Sequence, residues 1–333
     1  MSTQFSVARP AVFSADWSGK ADVRLRAVVI GGSGQIGGWL TRYLAERGHQ
    51  SVGTYSSQSF ADLVALDAGD PEAVSALLRA ERPDVVFYPA GFTWVDGCER
   101  DKARAYAANL EQPLHVARTA ADLGSRFVYF STDYVFDGVE GRYAEDAPTN
   151  PLSVYGKAKY DAEVALAEAL GDRLLTARTC WVYGPERQGK NFAYQLVRAL
   201  DQGKPMICPS DQVSSPSYGP DVARAVLMLV EAEASGLVHV VGPEIMDRVQ
   251  FARAVARAFH LDESLVVGKS TSELGQGAPR PLNAGLLIDR LEACKPGVMR
   301  SLDAALPDFR AKLDDPELRS WLAPVTTTGT GSN

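Results

Sequence analysis

The chain has 333 residues, 46% of them hydrophobic and 23% charged. That is enough apolar material to bury a large core without metal or disulfide staples, and it excludes a mainly disordered, collagen-like, mucin-like or disulfide-dense chain. With 34 basic against 41 acidic residues, net −7, no basic surplus points to nucleic acid and no polybasic segment to a membrane surface, although a local patch can still hold a phosphate.

Met1–Arg24 lacks a basic start followed by a long apolar stretch, so it reads as an N-terminal arm and not a secretory signal. Leu25–Ile30 reads as a buried strand, and Ile36, Leu40 and Leu44 recur every four residues on one helix face, ended by Gly48. Between them lies Gly31-Gly32-Ser33-Gly34-Gln35-Ile36-Gly37, a G-x-x-G-x-x-G turn. Glycines there permit a tight turn and let backbone N–H groups approach a pyrophosphate, while the helix start adds partial positive charge. Gly31, Ser33, Gly34, Gln35, Ile36 and Gly37 are therefore candidate cofactor contacts; a purely structural glycine turn is the alternative.

Ser51–Tyr55 and Asp62–Leu66 read as the next strands. The second strand runs into Ser56-Ser57-Gln58, with no acid to repel a 2′-phosphate and no arginine to clamp one. Ser56 and Ser57 can donate to such a phosphate, which favours NADPH, with NADH as the alternative. Further along, Pro71–Arg82 reads as a helix, Asp84–Tyr88 as a strand, Asp101–Leu123 as a helix and Arg126–Ser131 as a strand. Tyr155–Leu170 then reads as a helix and Leu174–Arg178 as a strand. This alternation implies a Rossmann-type, doubly wound α/β fold with a parallel sheet and right-handed crossovers.

After Arg178 the pattern breaks into helices at Phe192–Gln202, Pro220–Ala234 and Arg248–Phe259 and a strand at Leu237–Val241, a smaller mixed C-terminal substrate lobe. The division expected is an arm at 1–24, a dinucleotide-binding domain at 25–179 with helix 220–234 packing on it, and a substrate lobe at 180–219 and 235–324. A disordered tail at 325–333 completes it. Cys98, Cys180, Cys208 and Cys294 form no C-x-x-C pair and the four histidines are scattered, so no metal site is expected and the thiols read as free in a reducing cytoplasm. No apolar run approaches the ~18 residues needed to span a bilayer.

Tyr155 and Lys159 form Y-x-x-x-K, neighbours on one helix face. A nearby ammonium should lower the phenol's pKa and fit Tyr155 for proton transfer to a substrate oxygen. A surface Tyr–Lys pair is the bland alternative. Thr132 (or Ser131) ends the preceding strand, at the sheet edge where ligands bind in open parallel sheets, and can hydrogen-bond the same oxygen; a cap or turn role is the alternative. Asn109, poorly suited to mid-helix, supports a water link to Lys159 or is structural.

With these motifs stand Thr93–Glu99 (TWVDGCE), Ser131–Gly138 (STDYVFDG), Trp181–Gly184 (WVYG), Asn191-Phe192, Asp211–Tyr218 (DQVSSPSY) and Arg280–Asn283 (RPLN). Together, from about Leu25 to Leu291, they make the chain resemble the extended short-chain dehydrogenase/reductases, and most of all the dTDP-4-dehydrorhamnose reductase family. The resemblance implies an NADPH-dependent reductase of a nucleotide-activated 4-keto-6-deoxy sugar. Hydride would go to the C4 carbonyl, Tyr155 would give the proton, Thr132 would polarise the oxygen, and Lys159 would keep Tyr155 acidic and hold the nicotinamide ribose. It also implies that Asp67 meets the adenine, that Ala90 and Gly91 line the cofactor, and that Asp133, Asn191, Gln212, Ser215 and Arg280 contact the substrate.

Related 4,6-dehydratases carry Thr-Asp-Glu; here Asp133 is followed by Tyr134, which speaks against dehydration. Epimerases lack the S-T-D-Y-V-F-D-G run, and an epimerase or a reductase of a non-sugar ketone is a weaker reading. Two departures stand out: Tyr88-Pro89 before the fourth-strand turn, and the long arm. The regulatory β subunit of methionine adenosyltransferase shares S-x-D-Y-V-F-D-G and Y-G-K-x-K, so a non-catalytic NADP-binding subunit is the rival reading. Relatives often pair helices into a four-helix interface, so both homodimer and monomer stay open.

Overall fold

The computed structural model describes residues 13–14 and 24–325. The expected arm lies, but for Phe13, Ser14 and Arg24, outside the described residues, and so does the expected tail from 326 on.

The first part alternates as the periodicity dictates. It runs β1 (Arg26–Val29), α1 (Gln35–Glu46), β2 (Gln50–Tyr55), β3 (Leu63–Ala65), α2 (Pro71–Glu81), β4 (Val85–Tyr88), α3 (Val95–Arg100) and α4 (Lys102–Tyr106). A π-helical turn at Ala107–Glu111 leads to α5 (Gln112–Asp122), then β5 (Arg126–Thr132), α6 (Val154–Leu170) and β6 (Leu174–Thr179). The Asp101–Leu123 stretch, expected as one helix, is thus interrupted by one π turn, which rotates Asn109 inward to 1% exposure.

The second part contains β7 (Val182–Tyr183), α7 (Phe192–Asp201), β8 (Met206–Pro209), β9 (Val213–Ser214), β10 (Ser217–Tyr218), α8 (Gly219–Glu231), β11 (Gly236–His239) and β12 (Met246–Asp247). It continues with α9 (Arg248–Ala258), β13 (Val266–Lys269), α10 (Thr271–Leu274), α11 (Asp289–Cys294), α12 (Leu302–Asp314) and α13 (Pro316–Leu322). Three small pairs hold this lobe: β7 with β10, β8 with β13, and β9 with β12, the last antiparallel.

The main sheet has seven parallel strands in the order β11-β6-β5-β4-β1-β2-β3. Strand order reverses between β1 and β4, which opens a crevice at the carboxyl ends of those strands. Successive strand residues feed opposite layers: Ala27 and Val29 pack with Trp39, Leu40 and Val226, whereas Val28 packs with Val74, Val116 and Leu166. A third cluster around Tyr183, Phe251 and Phe309 is the core of the second lobe.

One boundary differs from the sequence reading. Residues 235–324 were expected wholly in the substrate lobe, yet β11 is the edge strand of the main sheet, paired with β6, and Trp321 of α13 packs on Trp39 of α1. The stretch is apolar enough for either placement; its pairing partner, not its composition, decides. Among the described residues no helix is long and apolar enough to cross a membrane, and no cluster of metal-ligating groups occurs.

Candidate active site

The glycine turn between β1 and α1 is fitted to its neighbours with little tolerance. Gly31 has φ +101°, a left-handed value that favours glycine, and a Cβ there would sit 3.0 Å from the Ala90 nitrogen. A Cβ on Gly37 would come within 2.1 Å of the Gly31 carbonyl oxygen. Thr54 of β2 ties the turn down: its Oγ1 accepts from the Gly31 N–H at 3.1 Å and its carbonyl from the Ser33 N–H at 3.3 Å. Helix α1 begins at Gly34 with no side-chain cap, so the N–H groups of its first turn are left for a ligand.

These features fit a dinucleotide pyrophosphate. Gly31, Gly34 and Gly37 provide the close approach, and Gln35 and Ile36 lie in the first turn of α1. The Ile36 side chain itself packs on the core. Gln35 Nε2 is buried without a partner among the described residues. From the second lobe, Gln188 Nε2 donates to the Ser33 carbonyl at 3.3 Å, which lays the 184–191 loop against the turn.

Ser56 and Ser57 are exposed in the bend after β2. Asp67 is exposed after β3, its Oδ1 accepting from the Gly69 N–H at 2.8 Å. Burial, with the Asp67 charge adding to it, pushes the Tyr88 phenol well up. Asn109 is buried and both ends of its amide meet Phe92. Its Oδ1 accepts from the Phe92 N–H at 3.1 Å and its Nδ2 donates to the Phe92 carbonyl at 3.0 Å. Asn109 thus pins the turn at 90–92, the structural role the sequence left open, and a Cβ on Gly91 would lie 2.8 Å from its Oδ1.

Helix α6 presents the candidate proton-transfer groups. Ser153 caps it, accepting from the Gly156 N–H at 3.1 Å, and Glu99 Oε1 accepts from the Val154 N–H at 2.7 Å. That fixes Tyr155 beside the end of β5, edge-on to Tyr134 with ring centroids 5.5 Å apart. The Thr132 side chain neighbours the Tyr155 hydroxyl and opposes the rise of its pKa. Thr132 Oγ1 accepts from the Tyr134 N–H at 3.2 Å and donates to Asp133 Oδ1 at 3.0 Å.

Lys159 departs from the expectation. Its Nζ donates to the Phe130 carbonyl at 2.5 Å and stands 4.0 Å from the centre of the Tyr129 ring. Burial lowers its pKa to about 7, opposed by the Glu163 carboxylate one turn on. Tyr155 is not acidified: burial pushes its phenol well above 10, with the Thr132 side chain opposing. The Lys159 ammonium is turned to a backbone carbonyl.

The five expected substrate residues are dispersed. Asp133 is 2% exposed and held between Thr132 and Ser214. Asn191 caps α7, accepting from the Tyr194 N–H at 3.2 Å and donating to the Gly184 carbonyl at 2.9 Å. Gln212 donates to Thr271 and Gln276, and Ser215 Oγ is buried on the Leu286 N–H. Arg280 reaches across to α3 and to the turn after β5. It pairs with Asp96 of α3 at 2.8 Å and hydrogen-bonds Tyr134.

Sequence reasoning passed over Asp96, Tyr134, Ser214 and Arg248. Asp96 and Ser214 sit inside segments already singled out, and Ser214 is one residue from the Ser215 chosen. Arg248, stacked 3.3 Å over Trp181, offers no local motif.

Comparison with known proteins bears on the whole chain. The family model described as the RmlD substrate binding domain matches residues 25–314. The dTDP-4-dehydrorhamnose reductase of Mycobacterium tuberculosis (strain ATCC 25618 / H37Rv) is 36% identical over 263 residues, 77% of this chain and 82% of that protein. That of Burkholderia thailandensis is 32% identical over 303 residues, 86% and 96% of the two chains. Among solved structures, the dTDP-4-dehydrorhamnose reductase of Bacillus anthracis in complex with NADP is similar with a TM-score of 0.80 at 26% identity. The match covers 87% of this chain and 100% of that one.

Proposed function

The chain belongs to the RmlD substrate binding domain family, and from that premise we propose that it is an oxidoreductase reducing a nucleotide-activated 4-keto-6-deoxy sugar with NADPH. One observation carries the reading: the uncapped glycine turn and the Tyr155–Thr132 pair meet at the carboxyl edge of one sheet. The bound dinucleotide would supply the hydride. Gly31, Gly34, Gly37 and the first-turn N–H groups of α1 would hold its pyrophosphate, and the Ala90–Phe92 turn pinned by Asn109 would line it. Ser56 and Ser57, with no acid between them and β2, suit a 2′-phosphate.

Tyr155 would give its phenolic proton to the C4 oxygen as the carbonyl carbon accepts hydride, so carbonyl, hydride and proton sum to one alcohol. A phenol held well above 10 is fully protonated at neutral pH, the form a donor needs. Lys159 would stabilise the phenolate formed and re-protonate it from solvent side groups; a pKa of about 7 makes it able to give and take a proton there. Arg280 and Asp96 would bracket the sugar from the second lobe and α3. Four free cysteines, three of them buried, support a cytoplasmic site of action.

The test is NADPH oxidation with dTDP-4-keto-6-deoxy sugar, wild type beside Tyr155→Phe. The ring and its contact with Tyr134 remain, while the acid is removed. We expect kcat to fall roughly 10²- to 10⁴-fold with NADPH affinity unchanged. No consumption by wild type despite NADPH binding, or undiminished turnover by the variant, overturns the reading.

A further inference from the structure

Asp133 occupies a position that direct substrate contact does not explain. It opens the turn after β5, is 2% exposed, and has both carboxylate oxygens occupied. On one side Thr132 Oγ1 donates to Oδ1 at 3.0 Å; on the other Ser214 Oγ, from β9 of the second lobe, donates to Oδ2 at 2.8 Å. Ser214 is 1% exposed and pairs with Met246, two residues before Arg248. The carboxylate is therefore a fully buried bridge between the dinucleotide domain and the substrate lobe.

The consequence falls on Thr132. A threonine hydroxyl has one proton and two lone pairs. Its proton goes to Asp133, and its oxygen accepts from the Tyr134 N–H at 3.2 Å. Its side chain also neighbours the Tyr155 phenol, whose rise in pKa it opposes. Thr132 so held stands beside Tyr155 with its own proton engaged on Asp133.

We propose that Asp133 is the positioning residue of this reaction centre: by taking the Thr132 proton it fixes the Thr132 hydroxyl beside Tyr155, and through Ser214 it ties that placement to the substrate lobe. The inference rests on the reductase reading. It requires an ionised Asp133. The groups facing it are Tyr134 beside it, Tyr155 from α6, Cys180 at the end of β6 and Arg248 from α9, the one cation. Burial raises the Asp133 pKa to about 6, while Ser214, Thr132 and Arg248 oppose the rise. Below that pH the protonated carboxyl must itself donate, so one of its two hydrogen bonds, to Thr132 or to Ser214, inverts and the bridge is remade.

The experiment compares wild type, Asp133→Asn and Ser214→Ala in kcat and KM from about pH 5 to 9, with infrared titration of the protonated carboxyl band in the free proteins. Wild-type kcat should fall as pH drops through about 6. Losing the Ser214 donor should move that limb up by roughly one pH unit with KM unchanged. Asp133→Asn should lose the limb and, at neutral pH, at least about tenfold in kcat. A loss of folded protein alone would scale all rates and leave the limb in place. A Ser214→Ala limb superposed on wild type, or a limb persisting in Asp133→Asn, overturns the inference. If wild type reduces no nucleotide sugar, the reductase reading fails. The carboxyl band then decides alone, expected to move in Ser214→Ala and vanish in Asp133→Asn; an unmoved band refutes the bridge.

Discussion

Replacing Gly37 by alanine tests the cofactor turn most directly. The added Cβ would lie 2.1 Å from the Gly31 carbonyl oxygen and 2.8 Å from its carbon, where real Cβ contacts essentially never fall below 3.0 Å. The start of α1 must therefore withdraw from β1 by about 1 Å. The opposing atoms are backbone, held on the other side by Thr54 and Ala90, so the helix yields first. A shift of that size stretches two first-turn N–H contacts to a pyrophosphate beyond useful length. Hydrogen bonds to a charged group are worth about 1.5–3 kcal/mol each, so two cost about 3–6 kcal/mol, or roughly two to four orders of magnitude in Kd. Gly38→Ala is the matched control: its Cβ meets the Gly32 carbonyl oxygen and the Trp321 ring at 3.4 Å, ordinary contact distances. NADPH fluorescence titration should show the loss for Gly37→Ala and, for Gly38→Ala, a Kd within about threefold of wild type. Unweakened binding by a folded Gly37→Ala protein would refute the placement of the pyrophosphate at α1.

Two further outcomes follow from buried charge. Arg178 and Glu163 make a two-pronged ion pair at 2.9 and 2.7 Å, with side chains 3% and 7% exposed. Glu163→Gln strands the guanidinium and should destabilise by about 3–5 kcal/mol in urea unfolding; a loss under about 1 kcal/mol would mean that water or Glu145 compensates. Lys159 binds its proton with a pKa of about 7 when folded, against ~10.4 unfolded. The unfolded chain thus holds more protons between these values, and stability should rise with pH across that window. Lys159→Met should flatten the rise; identical slopes of melting temperature against pH would contradict the burial of a chargeable amine.

The parts of this molecule that are local in sequence were legible. Alternating strand and helix periods yield the parallel sheet, and the glycine spacing locates the turn, because each depends on neighbours within a few residues. The Y-x-x-x-K spacing puts Tyr155 and Lys159 on one helix face for the same reason. What escaped depends on partners far along the chain. The edge strand β11 is assigned by its pairing with β6, some 60 residues earlier. The Tyr155 pKa is decided by burial and not by the nearest cation. Asn191 and Ser215 are polar residues in the right segments whose hydrogen bonds are taken up inside the second lobe, by the Gly184 carbonyl and the Leu286 N–H. No spacing rule distinguishes such a residue from one that meets a substrate.

The same distinction governs how the two halves of the molecule share the chemistry. Proton transfer needs geometry controlled to a few tenths of an ångström, and the groups proposed for it on the first domain are anchored to the backbone: Tyr155 by the α6 cap, Lys159 by the Phe130 carbonyl, Thr132 by the Tyr134 N–H. Contacts from the second lobe are of another kind. Gln188 to Ser33, Ser214 to Asp133 and Arg280 to Asp96 and Tyr134 are each side-chain hydrogen bonds across a seam. They can break and re-form singly, at about 1 kcal/mol for neutral pairs and somewhat more for charged ones, without unfolding either core. In the proposed reaction the Gln188 and Arg280 contacts can adjust to a substrate, while the Ser214–Asp133 bond keeps the proton-transfer geometry tied to the second lobe.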